Sequence, residues 1–166
     1  LLYYVISSRV FLAQSEVEAA GNVKVARHYI DPQTNKAITS AVAGQLVKVR
    51  LIVTLPEDGF YILVEDQLPG GLEALNEGLN TASHEASAYG YEPAYYWRSY
   101  GYNNKEVRGD RVSFFITEFG KGTRTFTYYA RATRAGEFVA MPVEVWAMYD
   151  LSVWGRSASS ELVVGK

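Results

Sequence analysis

The groups in this sequence that could do chemistry are few, and their spacing argues against most chemistries. His28 and His84 are the only imidazoles, they are not at metal-ligand spacing, and there is no cysteine to join them. A metal site and thiol chemistry are therefore not expected. Glu65, Asp66 and Glu73 place three carboxylates close in sequence. A glycosidase needs such a pair on one side of a cleft. Adjacent strand residues point to opposite faces, so Glu65 and Asp66 cannot share a site. The expectation is one exposed carboxylate and one satisfied by a turn or an arginine. No G-x-S-x-G elbow is present for a serine nucleophile. Arg108-Gly109-Asp110 is formally an adhesion tripeptide, but Gly and Asp between two apolar runs is what a hairpin turn of type II′ needs. No catalytic residue, cofactor or metal ligand is assigned, and the chain is not expected to be an enzyme.

The unusual composition is aromatic. Tyr95, Tyr96 and Trp97 lie in a run from Tyr89 to Tyr102 that holds six tyrosines. A second group comprises Trp146, Tyr149 and Trp154, followed by Arg156. Such side chains bring large contact area at low entropy cost, so they suit an interface or a sugar platform. The competing readings are a lid over one sandwich edge for the first group and core and corner packing for the second.

Strands must position these residues. Leu46–Leu55 sets Val47, Val49, Leu51, Val53 and Leu55 on one face, and Gly122–Thr133 sets Phe126, Tyr128, Ala130 and Ala132 on one face, both with period 2. Val23–Ile30, Phe60–Asp66, Lys105–Arg108, Arg111–Thr117, Phe138–Val143 and Glu161–Val164 read as further strands. Pro56–Gly59 is expected to close a hairpin, with Gly59 at positive φ. Ala135-Gly136 is expected to close another, whose aromatic end (Trp146, Met148, Tyr149, Trp154) would plug the core. Leu72, Leu75 and Leu79 have weak helical spacing. Turn-punctuated strands without a long helix define an all-β, antiparallel sandwich with one long Tyr-rich connection that has room for a short helix.

The length of 166 residues suits one domain, residues 1–166, with 1–14 either a first strand or the tail of a preceding domain. Residues 1–11 are apolar but carry no basic leader region, and the chain reads as a piece of something longer. Sixteen basic and eighteen acidic side chains give a net charge of −2, which offers no footprint for nucleic acid or an anionic membrane.

Several stretches resemble one family. TFTYYARATRAGEF, AMPVEVWAMYD and VWGRSA, together with VEDQLPGGLE from Val64 to Glu73 and the RGDRV turn, are similar to the C-terminal macroglobulin-like domain of bacterial alpha-2-macroglobulin proteins. Gln67 stands where that family usually has proline, Gly70 where it has alanine, and Leu151 where proline is common. The resemblance implies a macroglobulin or immunoglobulin-like sandwich, equivalent in position to the receptor-binding domain of the animal proteins. The parent would be an endopeptidase trap in which cleavage of a bait segment triggers a conformational change. An internal Cys–Gln thioester, in a separate domain, then captures the protease. The implied partners are the thioester and neighbouring macroglobulin-like domains, with target proteases reached through the parent, in the periplasm or cell envelope. Tyr95, Tyr96, Trp97, Tyr149, Trp154 and Arg156 are the candidate contacts. The alternative is a carbohydrate-binding or adhesive sandwich that uses the Tyr-rich loop.

Overall fold

The computed structural model describes residues 3–4, 6–7, 13–76 and 101–166. His84 and the first aromatic group, Tyr95, Tyr96 and Trp97, lie outside the described residues, as does most of the 1–14 segment. After one turn of 3-10 helix at Gln14–Glu16, the described residues form fourteen strands: β1 (Ala20–Gly21), β2 (Lys24–Asp31), β3 (Lys36–Ile38), β4 (Ser40–Val42), β5 (Leu46–Leu55), β6 (Gly59–Gln67), β7 (Leu72–Ala74), β8 (Asn104–Val107), β9 (Arg111–Phe119), β10 (Gly122–Ala132), β11 (Gly136–Ala140), β12 (Glu144–Ala147), β13 (Trp154–Arg156) and β14 (Ser160–Gly165).

They form three sheets. A six-stranded sheet has the order β1-β13-β12-β6-β9-β8, a five-stranded sheet β3-β2-β5-β10-β7, and a three-stranded sheet β11-β14-β4. All pairings are antiparallel except β14 with β4. The core lies between the inner faces. Val47, Val49, Leu51 and Val53 of β5 meet Ile62 and Val64 of β6, and Phe114, Phe119 and Phe126 supply the rings. Full burial of one such side chain stabilises by about 1.5–3 kcal/mol.

The β5 and β10 strands form as their alternation predicts, paired from Leu55 opposite Gly122 to Leu46 opposite Arg131. The β8–β9 hairpin also forms, with Val107 opposite Val112. Gly109 has no positive φ, however, so its turn is not type II′. Its Arg108 pairs with Glu106 and its Asp110 with Arg111, so the tripeptide is engaged in its own turn.

Two expected hairpins do not form. β5 and β6 lie in different sheets, and Pro56–Asp58 carries the chain across the sandwich. Gly59 is not at positive φ either. It is buried, and an added Cβ would sit 2.7 Å from a Leu55 methyl and 3.0 Å from one of Ile62, so a larger residue would make these side chains shift. The positive φ, 53°, falls at Tyr61. Likewise β10 does not pair with β11. Beyond β5, β10 takes β7 as its other neighbour, while β11 pairs with β14. Leu72 belongs to β7 and not to a helical stretch. In each case the alternation located the strand but not its partner.

Candidate interaction surface

Glu65 and Asp66 face opposite ways, and each becomes the centre of a different cluster. Asp66 points into the sandwich and is fully buried. Arg27 Nη1 donates to its Oδ1 at 2.6 Å and the Tyr128 hydroxyl to its Oδ2 at 2.8 Å. Arg27 Nη2 also donates to the Ala140 carbonyl and the Ser160 hydroxyl, both at 3.1 Å. One guanidinium thereby joins β2 of the five-stranded sheet, β6 of the six-stranded sheet and both β11 and β14 of the third. Burial pushes the Asp66 carboxyl up, and the Arg27 charge and Tyr128 hydrogen bond offset part of that push. Burial also raises the Tyr128 phenol. The Asp66 carboxylate is closed off by Arg27 and Tyr128, while Arg27 and Ser160 border a small cleft at the sheet edge; the geometry around Asp66 is that of a structural tie.

Glu65 faces outward, where it accepts from Ser113 Oγ at 3.1 Å and Arg111 Nη1 at 3.5 Å. The strand register places Arg156, Glu144, Glu65 and Ser113 in one row across the outer face of the six-stranded sheet. The next row is apolar: Trp154, Trp146, Leu63 and Phe115. Trp154 and Arg156 therefore share this outer face.

At the end of the sheet, Tyr149 and Tyr61 meet edge to face, with ring centroids 5.2 Å apart. Met148 N–H donates to the Tyr61 carbonyl at 2.9 Å, which fixes their separation. The left-handed backbone at Tyr61 breaks the alternation of β6, so that Phe60 and Tyr61 are both exposed although Gly59 and Ile62 are buried. Such strain in a non-glycine residue costs about 1–2 kcal/mol and clusters at functional positions.

The β12–β13 connection is held firmly. Asp150 Oδ1 accepts from Ser152 N–H at 3.0 Å and Ser152 Oγ at 2.6 Å, contacts that hold its carboxyl below the usual range. Asn22 clamps the far side: its Oδ1 accepts from Trp154 N–H at 3.0 Å and its Nδ2 donates to the Ser152 carbonyl at 2.9 Å. Gly155 packs so closely on the Val23 carbonyl that no Cβ could fit. The result is a stiff platform that presents Tyr149 (78% exposed), Leu151 (87%) and Trp154 (43%) to solvent.

This corrects the expectation that the Trp146–Trp154 group plugs the core. Its members face outward, Trp146 half-buried, and the core rings come from β9 and β10 instead. The structure brings Trp154 and Arg156 together on one face and sets Tyr149 beside Tyr61 at its end. Sequence reasoning missed Phe60, Tyr61 and Leu151 as members. Two aromatics directly after Pro-Glu-Asp-Gly were a usable signal, but they were read as strand residues alone. These exposed apolar side chains at one end of the six-stranded sheet make it the candidate contact region.

Comparison with known proteins places this antiparallel-dominated sandwich in a family. Residues 23–150 match the family described as the bacterial alpha-2-macroglobulin MG10 domain. The chain belongs to that family. It is 28% identical over 123 residues to an alpha-2-macroglobulin of Thermotoga maritima, an alignment covering 74% of this chain and 8% of that protein. Among solved structures it resembles native Escherichia coli alpha-2-macroglobulin spanning domain MG7 to the C-terminus (25% identity, TM-score 0.75, 92% of this chain and 25% of that one). It also resembles the E. coli protein activated by porcine elastase (28% identity, TM-score 0.77, 92% and 14%). The chain thus spans less than a tenth of the Thermotoga relative.

Proposed function

We propose that this domain is a non-catalytic part of a longer alpha-2-macroglobulin-like endopeptidase inhibitor in the periplasm or cell envelope. It packs against the thioester domain of that parent and takes part in the change that follows bait cleavage. The observation that carries the reading is the apolar platform of Tyr61, Tyr149, Leu151 and Trp154. Left in water in an isolated domain, it would be covered in a multidomain chain. The chain contains no cysteine, so the thioester must lie in another domain. Structural relatives include alpha-2-macroglobulins described as native, trypsin-activated and reacted with methylamine, which supports a family with more than one state. The device is a two-state interface, closed in one form and displaced in the other.

The test is thioester reactivity in the full-length parent. Replacing Tyr149, Leu151 and Trp154 with alanine is expected to speed thiol release by methylamine, before any protease is added, by about tenfold or more. Unchanged release from a folded triple variant would refute the proposed contact. Release of no thiol from the wild-type parent would refute the thioester part of the reading.

A further inference from the structure

The other broad face of the sandwich carries a second, chemically different surface. On the outer face of the five-stranded sheet, register aligns Lys24, Thr54 and Thr123 in one row, then Ala26, Ile52 and Thr125, then His28, Arg50 and Thr127; a fourth row, Ile30, Lys48 and Tyr129, closes the open part of the face, because Ile30 and Tyr129 are buried. These four rows contain three permanent cations and no carboxylate. Lys24, Lys48 and Arg50 make no ion pair among the described residues. The nearest carboxylates on β7 and β14 are at the margins: Glu73 lies opposite Arg131, and Glu161 shares the edge cleft with His28. Lys48 and Arg50 are half-buried and Lys24 is exposed. The Thr54 and Thr123 hydroxyls hydrogen-bond each other at 2.8 Å, in the same row as Lys24.

We infer that this face is a docking surface for a carboxylate-bearing patch on another domain of the same parent polypeptide. The three cations and the hydroxyls of Thr125 and Thr127 set donors around the apolar Ala26 and Ile52, so the partner must supply acceptors and negative charge. A long polyanion fits poorly, because the whole chain carries a net charge of −2 and has no aromatic stacking row on this face. Area decides between a free and a tethered partner. Three strands about 4.8 Å apart and five residues of strand length cover roughly 250 Å². A stable interface between separate proteins takes roughly 800 Å² from each side. A partner tethered in the same chain acts at an effective concentration in the millimolar range and needs far less area. The domain would then be held on two opposite faces, an apolar contact on one sheet and an electrostatic one on the other. This inference rests on the reading of the chain as one domain of a longer inhibitor, but not on the thioester contact.

Zero-length carbodiimide coupling of the intact parent tests it, since the reagent joins an ammonium to a carboxylate only when the two already touch. Lys24 or Lys48 is expected to couple to an Asp or Glu outside this chain. Changing Lys48→Glu and Arg50→Glu together should lower the remaining coupling of Lys24 at least about tenfold, with the circular dichroism spectrum and melting temperature unchanged, because like charges now face each other. Uncoupled Lys24 and Lys48 beside well-coupled lysines elsewhere would overturn the inference. So would coupling confined to carboxylates of this same domain, or coupling between two parent molecules that rises with concentration. Methylamine reactivity of the platform variants reads the opposite face, so failure of one proposal is distinguishable from failure of the other.

Discussion

Arg27 reaches across the sandwich to Asp66, 2.6 Å from nitrogen to oxygen, with side chains 3% and 0% exposed. A pair so deeply buried pays a desolvation cost that its attraction repays only while both partners and their further hydrogen bonds are in place. Arg27 also holds Ala140 and Ser160, so the pair fixes the relative position of all three sheets.

Removing one partner should therefore be severe. Asp66→Ala leaves an uncompensated buried cation and is expected to cost about 3–5 kcal/mol in urea denaturation. Replacing both partners, Arg27→Met with Asp66→Leu, should recover most of that loss. If the double variant is as unstable as the single one, the charge is not the source of the cost.

Tyr128→Phe keeps the ring and removes the donor to Asp66. A lost hydrogen bond to a charged acceptor predicts a loss of about 2 kcal/mol. The variant should still form the β5–β10 pairing, visible as an unchanged far-ultraviolet dichroism spectrum.

Alkali should act on the same cluster. Burial pushes the Tyr29 and Tyr128 phenols well above their ordinary value. A folded pKa above the unfolded one gives stability that is complete below the unfolded phenol range, about 10, and is lost as pH rises beyond it. Absorbance at 295 nm should show a late, cooperative phenolate rise coincident with unfolding, diminished in Tyr29→Phe and Tyr128→Phe.

At Tyr61 two effects of similar size oppose each other. Tyr61→Ala keeps the strained backbone and loses the ring pair with Tyr149, at about 1 kcal/mol. Tyr61→Gly also loses the ring but relieves about 1–2 kcal/mol of strain, so its stability should stay near that of the wild type. Equal losses in thermal denaturation would show that the left-handed backbone carries no strain.

Gly155→Ala should be among the most damaging surface-strand changes. The new Cβ would overlap the Val23 backbone carbonyl, which cannot swing aside like a side-chain end. A cost of about 3 kcal/mol is expected, read by urea denaturation, together with faster amide exchange at Asn22 and Val23, whose N–H groups donate to the Trp154 carbonyl.

Period 2 made β5, β9 and β10 legible, because each has one face wholly in the core. Opposite orientation of Glu65 and Asp66 followed from the same rule; that each would meet an arginine did not. Pairing was legible at the β8–β9 turn but not at Pro56–Gly59, where nothing local distinguishes a hairpin from a crossing between sheets. The aromatic group at Trp146–Trp154 misled for a related reason. Hydrophobicity says that a side chain will be covered, but not whether its own fold or a neighbour will cover it.

The pairing of β1 with β13 has a further consequence for how the molecule comes into being. Ala20 bonds beside Arg156, 136 residues later in the chain. At synthesis rates of about 5–20 residues per second, the first of these strands waits roughly 7–27 s for the second. Leu55 likewise waits for Gly122, and Ser40 for Val163. Partners so remote in sequence place folding in the slow millisecond-to-second range of β-topologies. Until β9 and β10 are made, the valines of β5 lack Phe114, Phe119 and Phe126, the rings that complete their core.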